Sequence, residues 1–141
     1  MSNARGLNLP LLRRITEALS REFLQGREVV AYFVGPKKMA SLNEKFLGHE
    51  GPTDVITFDY GEDGGEIFIC PDVAIAQAKE FGTTPQIELV RYIVHGVLHL
   101  KGYEDIKSTD REKMKRAEDK WVRWVAAEFP CDKVWSRKRA G

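Results

Sequence analysis

His95 and His99 are four positions apart, and their side chains are well suited to binding a cation. Residues four apart on an α-helix lie on the same face one turn from each other, so two imidazoles at this spacing can bind one ion. Gly102 follows and predicts the end of the helix, because glycine adopts the left-handed conformation at little cost. We expect the chain to turn there and bring Asp105 towards the same ion.

Two histidines and one carboxylate, with a fourth position for water, are typical of a catalytic zinc site. The sequence therefore predicts metal-assisted hydrolysis with one Zn²⁺ ion, although iron(II) accepts the same ligands. The alternative is a pair of core histidines, with Asp105 in solvent or capping the next helix. Burying two imidazoles without partners would cost about 1–3 kcal/mol per group, which favours the metal site.

The spacing resembles that of the metzincin peptidases, in which a third ligand follows a glycine after a helical histidine pair. Zincins place a glutamate general base directly after the first histidine, and this position is Gly96 here. A peptidase of this type without its base should be severely impaired. A zinc-dependent peptidase-like hydrolase is thus an alternative that Gly96 disfavours.

The composition is that of an ordinary globular chain, with 141 residues of which 43% are hydrophobic and 30% charged. The formal net charge of +1 provides no global attraction to nucleic acid or membranes, so any polyanion site must be a local patch. Cys70 and Cys131 are too few for a disulfide framework and lack metal-binding spacing. No apolar run is long enough to span a bilayer and no signal peptide is recognisable, so we expect a cytoplasmic location.

The pattern of apolar and turn residues predicts an α+β fold, with a small mixed sheet of about three to four strands covered by about five helices. The histidine helix is apolar on most sides and should be the central one. Thr109 and Glu112 have the spacing of a capping box before a long last helix. Residues 55–58 and 66–70 are expected to pair as a hairpin across a glycine-rich turn, and residues 28–34 form a further strand.

Residues 95–103, His-Gly-Val-Leu-His-Leu-Lys-Gly-Tyr, closely resemble the signature of the YbeY endoribonuclease (ribosomal RNA maturation factor) family. Residues 42–58, which include Pro-Thr-Asp-Val-Ile-Thr-Phe, and residues 65–70, Gly-Glu-Ile-Phe-Ile-Cys, are similar to two further blocks of that family. The resemblance implies one endoribonuclease domain over residues 1–141. It also implies metal-dependent cleavage of single-stranded RNA, small-subunit ribosomal RNA 3′ end processing and ribosome quality control.

The resemblance implies that His95, His99 and Asp105 bind the metal and act through a metal-bound water. The family usually has a histidine at the third position, and we expect Asp105 to replace it. No general base is assigned. Glu104 is the first candidate, and Glu66 and Asp54 lie in the matched blocks.

Many family members carry an arginine at the position of Leu47, so this chain must supply positive charge for RNA from elsewhere. Tyr60 and Tyr103 are candidate stacking aromatics, each with a core-edge position as the alternative. The basic tail at about residues 131–141, with Trp135, is expected either to contact RNA or to be disordered. The predicted partners are ribosomal RNA and the small subunit, and the remaining alternative is a non-catalytic ribosome-associated RNA-binding module. The candidate substrate-binding residues are Lys45, Thr53, Asp54, Arg91 and Lys101.

Overall fold

Three strands and five α-helices account for most of residues 6–104 and 107–136, the part of the chain that the computed structural model describes. The predicted α+β class is confirmed. A short π-helix, Asn43–Leu47, extends α2, and single 3₁₀ turns lie at Gly61–Asp63 and Cys131–Lys133. The strands are β1 (Val29–Phe33), β2 (Val55–Asp59) and β3 (Gly65–Ile69). The helices are α1 (Leu9–Phe23), α2 (Pro36–Leu42), α3 (Pro71–Phe81), α4 (Pro85–Lys101) and α5 (Ser108–Glu128).

The sheet has the order β1-β3-β2, so the last strand in the sequence lies at its centre. The expected hairpin is present: β2 and β3 pair antiparallel, with Val55 opposite Ile69 and Asp59 opposite Gly65. β1 pairs parallel with β3, which requires a crossover connection, and α2 lies within that connection. The sheet is therefore mixed, as predicted, although its strand order could not be deduced from the sequence.

Helix α4 packs across one face of the sheet and is surrounded by α1, α3 and α5. Leu89, Ile93 and Val97 on this helix are completely buried. In β3 the alternate residues Ile67 and Ile69 are also completely buried, which marks the face of the sheet that contacts the helix. The histidine-bearing helix is thus the centre of the hydrophobic core.

Two glycines allow α4 to approach β3 closely. A Cβ atom on Gly96 would lie 2.7 Å from Cδ1 of Ile67, and one on Gly65 would lie 2.8 Å from both methyl groups of Leu100. Neither position has room for a side chain, because the opposing apolar groups are buried. This contact fixes the distance between the sheet and the turn of α4 that bears the histidines.

Three helix ends can be compared with those expected from the sequence: two agree and one does not. The Asn8 side chain accepts a hydrogen bond from the Leu11 amide at the start of α1, and Gly102 ends α4 with φ of 119°. The predicted capping box at Thr109 is wrong. Helix α5 begins at Ser108 after the extended residue Lys107, so Thr109 is already helical and cannot act as the N-cap.

The segment after α5 packs against the body of the molecule. Val134 and Trp135 are 0% and 1% exposed, and Leu7 forms an isolated β-bridge with Trp135. The Gln86 amide donates a hydrogen bond to the Trp135 carbonyl at 2.9 Å. Trp135 is therefore a core residue and not the RNA contact that the sequence suggested. Residues 131–136 of the predicted tail are ordered, and residues 137–141 lie outside the described part.

Cys70 and Cys131 are both buried, with 0% and 7% exposure. Burial raises the pKa of each thiol. No helix within the described ranges is long and apolar enough to cross a membrane.

Candidate metal centre

His95 and His99 interrupt the buried surface of α4. Every other residue between Tyr92 and Leu100 is buried, whereas the two histidines are partly exposed. Their ring centroids are 4.7 Å apart, with an interplanar angle of 75°. The four-residue spacing therefore brings the two imidazoles together at the surface, as the helical interpretation required.

A carboxylate of the facing helix contacts His95. Oε2 of Glu118, on α5, lies 2.6 Å from Nδ1 of His95. A carboxylate accepts hydrogen bonds, so Nδ1 of His95 donates its proton in this contact. The sequence analysis missed Glu118, because nothing in the spacing of residues 95 and 118 indicates that they meet.

Arg91 lies one helical turn before His95 and contacts the same region of α5. Its Nη1 atom is 2.8 Å from Oδ1 of Asp119 and 3.4 Å from Oε1 of Glu118. Glu88 is a more distant partner, at 3.9 Å. The positive charge of Arg91 is thus directed at carboxylates of the protein, and the prediction that it contacts RNA stays untested.

Thr53 and Asp54 precede β2 and are linked to each other. Oδ1 of Asp54 accepts hydrogen bonds from the Val55 amide at 2.8 Å and from the Thr53 hydroxyl at 3.2 Å. Burial raises the pKa of Tyr92, and the negative charge of Asp54 raises that pKa further. The Asp54 carbonyl also accepts a hydrogen bond from the Cys70 amide at 3.0 Å, which holds the start of β2 against the end of β3.

The other predicted cations are exposed. Lys45 lies in the π-helix, with Nζ 5.3 Å from the centroid of the Phe46 ring. Lys101, in the last turn of α4, lines a cleft of about 360 Å³ together with Tyr103 and Glu104. The cleft lies at the C-terminal end of α4, and the residues that line it follow His99 in the chain.

Glu66 and Tyr60 lie away from the histidines. Along β3 the inward-facing residues Gly65, Ile67 and Ile69 alternate with Glu66, which therefore faces the side of the sheet opposite α4. The Tyr60 hydroxyl donates to Oε1 of Glu66 at 2.6 Å, which raises the pKa of Tyr60. The suggestion that Glu66 acts as a general base beside the metal is therefore wrong.

The structure explains why Gly96 replaces the zincin glutamate. The position after the first histidine faces Ile67 in the core and not the exposed edge where the two imidazoles meet. A glutamate at this position would clash with β3 and would not reach the histidine pair. This geometry argues against the peptidase alternative more strongly than the missing base alone.

The comparisons with known proteins show the family of the chain. The family model described as Endoribonuclease YbeY matches residues 9–125. The chain belongs to the YbeY endoribonuclease family. The YbeY endoribonuclease of Chlorobium luteolum is 36% identical over 115 residues, which cover 79% of this chain and 84% of that protein. The one of Thermotoga petrophila is 35% identical over 134 residues, which cover 88% and 89%.

The fold agrees with a solved structure. The solution structure of TM1509 from Thermotoga maritima matches with a TM-score of 0.66 and 27% sequence identity. The match covers 95% of this chain and 93% of that one. The fold is thus shared along nearly the whole chain, and the predicted resemblance to the YbeY family is confirmed by the family model over residues 9–125.

The donor set suits a divalent metal as far as the structure describes it. His95 and His99 present two imidazoles on one face, and because Nδ1 of His95 donates to Glu118, Nε2 would be the atom of this ring to hold a metal. Asp105, the predicted third ligand, lies outside the described residues. Within residues 6–104 and 107–136, no group of three or more histidine, cysteine, aspartate or glutamate side chains is arranged to hold an ion.

Proposed function

We propose that this protein is a metal-dependent endoribonuclease that cleaves single-stranded RNA. The observation that carries the proposal is the pair of partly exposed imidazoles, 4.7 Å apart, on a helix that is otherwise buried at that turn. Membership of the YbeY endoribonuclease family supports the same activity.

The proposed metal site consists of His95, His99 and Asp105 around one Zn²⁺ ion. When bound, such an ion lowers the pKa of its water and stabilises charge on a phosphoryl oxygen. The buried apolar residues of α4 beside the imidazoles exclude water, which lowers the local dielectric constant and strengthens electrostatic interactions at the site. Glu104 borders the adjoining cleft and is the proposed group for accepting a proton from the attacking water.

RNA is proposed to bind through local cations, because the chain as a whole has a net charge of only +1. Lys101 is proposed to hold a phosphate, which its exposure supports, and Tyr103 lines the same cleft as Lys101 and is proposed to stack on a base. Thr53 and Asp54 are proposed to border the bound strand, with Lys45 contacting RNA further away.

The resemblance in the sequence supports a more specific assignment. We propose that the substrate is ribosomal RNA of the small subunit, that the enzyme processes its 3′ end in the cytoplasm, and that it contributes to ribosome quality control. The basis for this assignment is the three blocks shared with the family, which occur in the same order here.

Replacement of His99 by alanine should abolish cleavage of a single-stranded RNA, because one of the two imidazoles is lost. Melting temperature and RNA affinity should change little, since His99 is partly exposed. The matched control is His49→Ala, which removes an exposed histidine from a loop. The assay is gel analysis of a labelled RNA with zinc, and with a chelator in parallel.

Full cleavage by the His99→Ala protein would contradict the proposal. Unchanged RNA binding without cleavage by the wild-type protein at any metal concentration would support the non-catalytic RNA-binding module. Digestion of an unstructured protein in the same preparation would support the peptidase. Elemental analysis of Asp105→Asn tests the third ligand, since an unchanged zinc content would remove Asp105 from the site.

A further inference from the structure

We infer that Glu118 is the positioning residue of the metal site, which fixes the ring of His95 and holds its proton on Nδ1 so that Nε2 faces the ion. This inference rests on the proposed metal site. It concerns a side chain of α5 that contributes no ligand atom. Its role is to determine which nitrogen of His95 binds and in which direction.

The contact between the two residues is short and sheltered. The Nδ1 to Oε2 distance of 2.6 Å is at the short end of charge-assisted hydrogen bonds. The side chains of His95 and Glu118 are only 21% and 14% exposed, so water competes weakly for either partner. A bond of this kind defines both the orientation of the ring and its tautomer.

Glu118 is itself held in place by a second partner. Its two oxygens have different contacts: Oε2 faces His95, while Oε1 faces Nη1 of Arg91 at 3.4 Å. Arg91, His95 and His99 follow one another at four-residue intervals on α4, so the three lie along one stripe that faces α5. Arg91 also contacts Asp119 at 2.8 Å, which ties the guanidinium to α5.

This arrangement is the usual outer shell of a metal-bound histidine. Such a histidine donates its second N–H to a carboxylate or carbonyl, and loss of this partner typically weakens metal binding by about 10–100-fold. The guanidinium of Arg91 lies on the Oε1 side of Glu118, which leaves Oε2 to accept the hydrogen bond from Nδ1–H of His95. Arg91 therefore acts on the metal site through Glu118.

The neighbouring carboxylate provides a matched control. Asp119 contacts Arg91 at 2.8 Å, closer than Glu118 does at 3.4 Å, whereas the described contact of His95 with α5 is the one to Glu118. Asp119→Asn removes one charge at the adjacent position and leaves the histidine partner intact. Glu118→Gln retains an oxygen acceptor without the charge, and Glu118→Ala removes the acceptor.

The test is the dissociation constant for zinc of the full chain, measured by competition with a chelator of known affinity at one pH. We expect Glu118→Ala to weaken zinc binding by about 10–100-fold, Glu118→Gln to weaken it less, and Asp119→Asn to change it by less than about 3-fold. Melting of the metal-free proteins shows whether each variant folds. If Glu118→Ala does not fold, the zinc dissociation constants of Glu118→Gln and Asp119→Asn are compared instead, and Glu118→Gln should bind zinc more weakly.

A second measurement separates positioning from a merely structural role. Long-range ¹⁵N spectra of the histidine rings in the zinc-loaded wild type should show His95 protonated at Nδ1 and metal-bound at Nε2. Loss of this single state in Glu118→Ala supports the inference. Metal bound through Nδ1 of His95 in the wild type, or equal zinc affinity in Glu118→Ala and wild type, would overturn the inference alone. Absence of zinc binding in the wild type would overturn the proposed metal site as well.

Discussion

Gly96 shows at the level of one residue how the fold and the chemistry constrain each other. Glycine in the middle of a helix is less favourable than alanine by about 1 kcal/mol. Here it is required, because a Cβ atom would lie 2.7 Å from Ile67, which is completely buried. The chain thus gives up helix propensity in exchange for close contact between α4 and β3, at the turn that presents the histidines.

Replacement of Gly96 by alanine should lower the free energy of unfolding by about 1–3 kcal/mol, the usual effect of overpacking a core. The reason is the clash with Ile67, which outweighs the gain in helix propensity. Chemical denaturation would measure the effect, and the slope of the free energy of unfolding against denaturant concentration should be unchanged.

The double variant Gly96→Ala/Ile67→Ala removes Cδ1, Cγ2 and Cγ1 of Ile67, which would lie 2.7, 2.8 and 2.9 Å from the new methyl group. On the Ile67→Ala background, Gly96→Ala should therefore lower the free energy of unfolding by less than it does in the wild type. A Gly96→Ala protein that is more stable than the wild type would mean that propensity decides at this position and that the helix can move away from the strand.

The residues of the candidate site could be predicted from the sequence where their contacts are local, and could not where the partners are far apart in the chain. The histidine pair could be predicted, because a four-residue spacing on a helix places two side chains together regardless of the rest of the chain. Glu118 could not, since its contact with His95 spans 23 positions and depends on how α5 packs on α4. The same packing gives Arg91 its carboxylate partners, which its position in the sequence did not reveal.

At the level of elements, the helices and the hairpin were predictable and the arrangement of the sheet was not. Periodic apolar residues and glycine turns are local signals. The parallel pairing of β1 with β3 depends on tertiary packing, as does the burial of the segment after α5. The error at the start of α5 is of another kind, because Thr109 has the right spacing to Glu112 but the N-cap is Lys107, two residues earlier.

The segment after α5 should contribute strongly to stability. Trp135 is 1% exposed and belongs to the main core, so Trp135→Ala should lower the free energy of unfolding by about 3–5 kcal/mol. Thermal and denaturant unfolding would measure the loss. Lys133→Ala is the control, because that side chain is exposed and only a charge is removed. If Trp135→Ala weakened RNA binding with no loss of stability, the residue would be a surface contact after all.

On the scale of the whole molecule, positive and negative charges nearly balance, so electrostatic effects come from local groups of side chains and not from an overall excess of one sign. The net charge is +1, and within the described residues Arg27 pairs with Asp59 at 2.7 Å and Arg91 pairs with carboxylates of α5. The proposed contacts of Lys45 and Lys101 with RNA would accordingly form a small patch of positive charge. Such a small patch implies a modest dependence of binding on salt, since the slope scales with the number of phosphates contacted.

The two buried cysteine thiols can report on unfolding, because a reagent reaches them only when the core opens. Cys70 and Cys131 are 0% and 7% exposed, and burial raises the pKa of both, so little thiolate is present at neutral pH. Alkylation of the native protein should be slow and should accelerate in denaturant in step with unfolding, as followed by mass spectrometry. Fast modification of one cysteine in the folded protein would contradict this expectation. The alkylation rates of the two cysteines would then compare how fast two parts of the core open, one around Cys70 beside the sheet and one around Cys131 beyond α5.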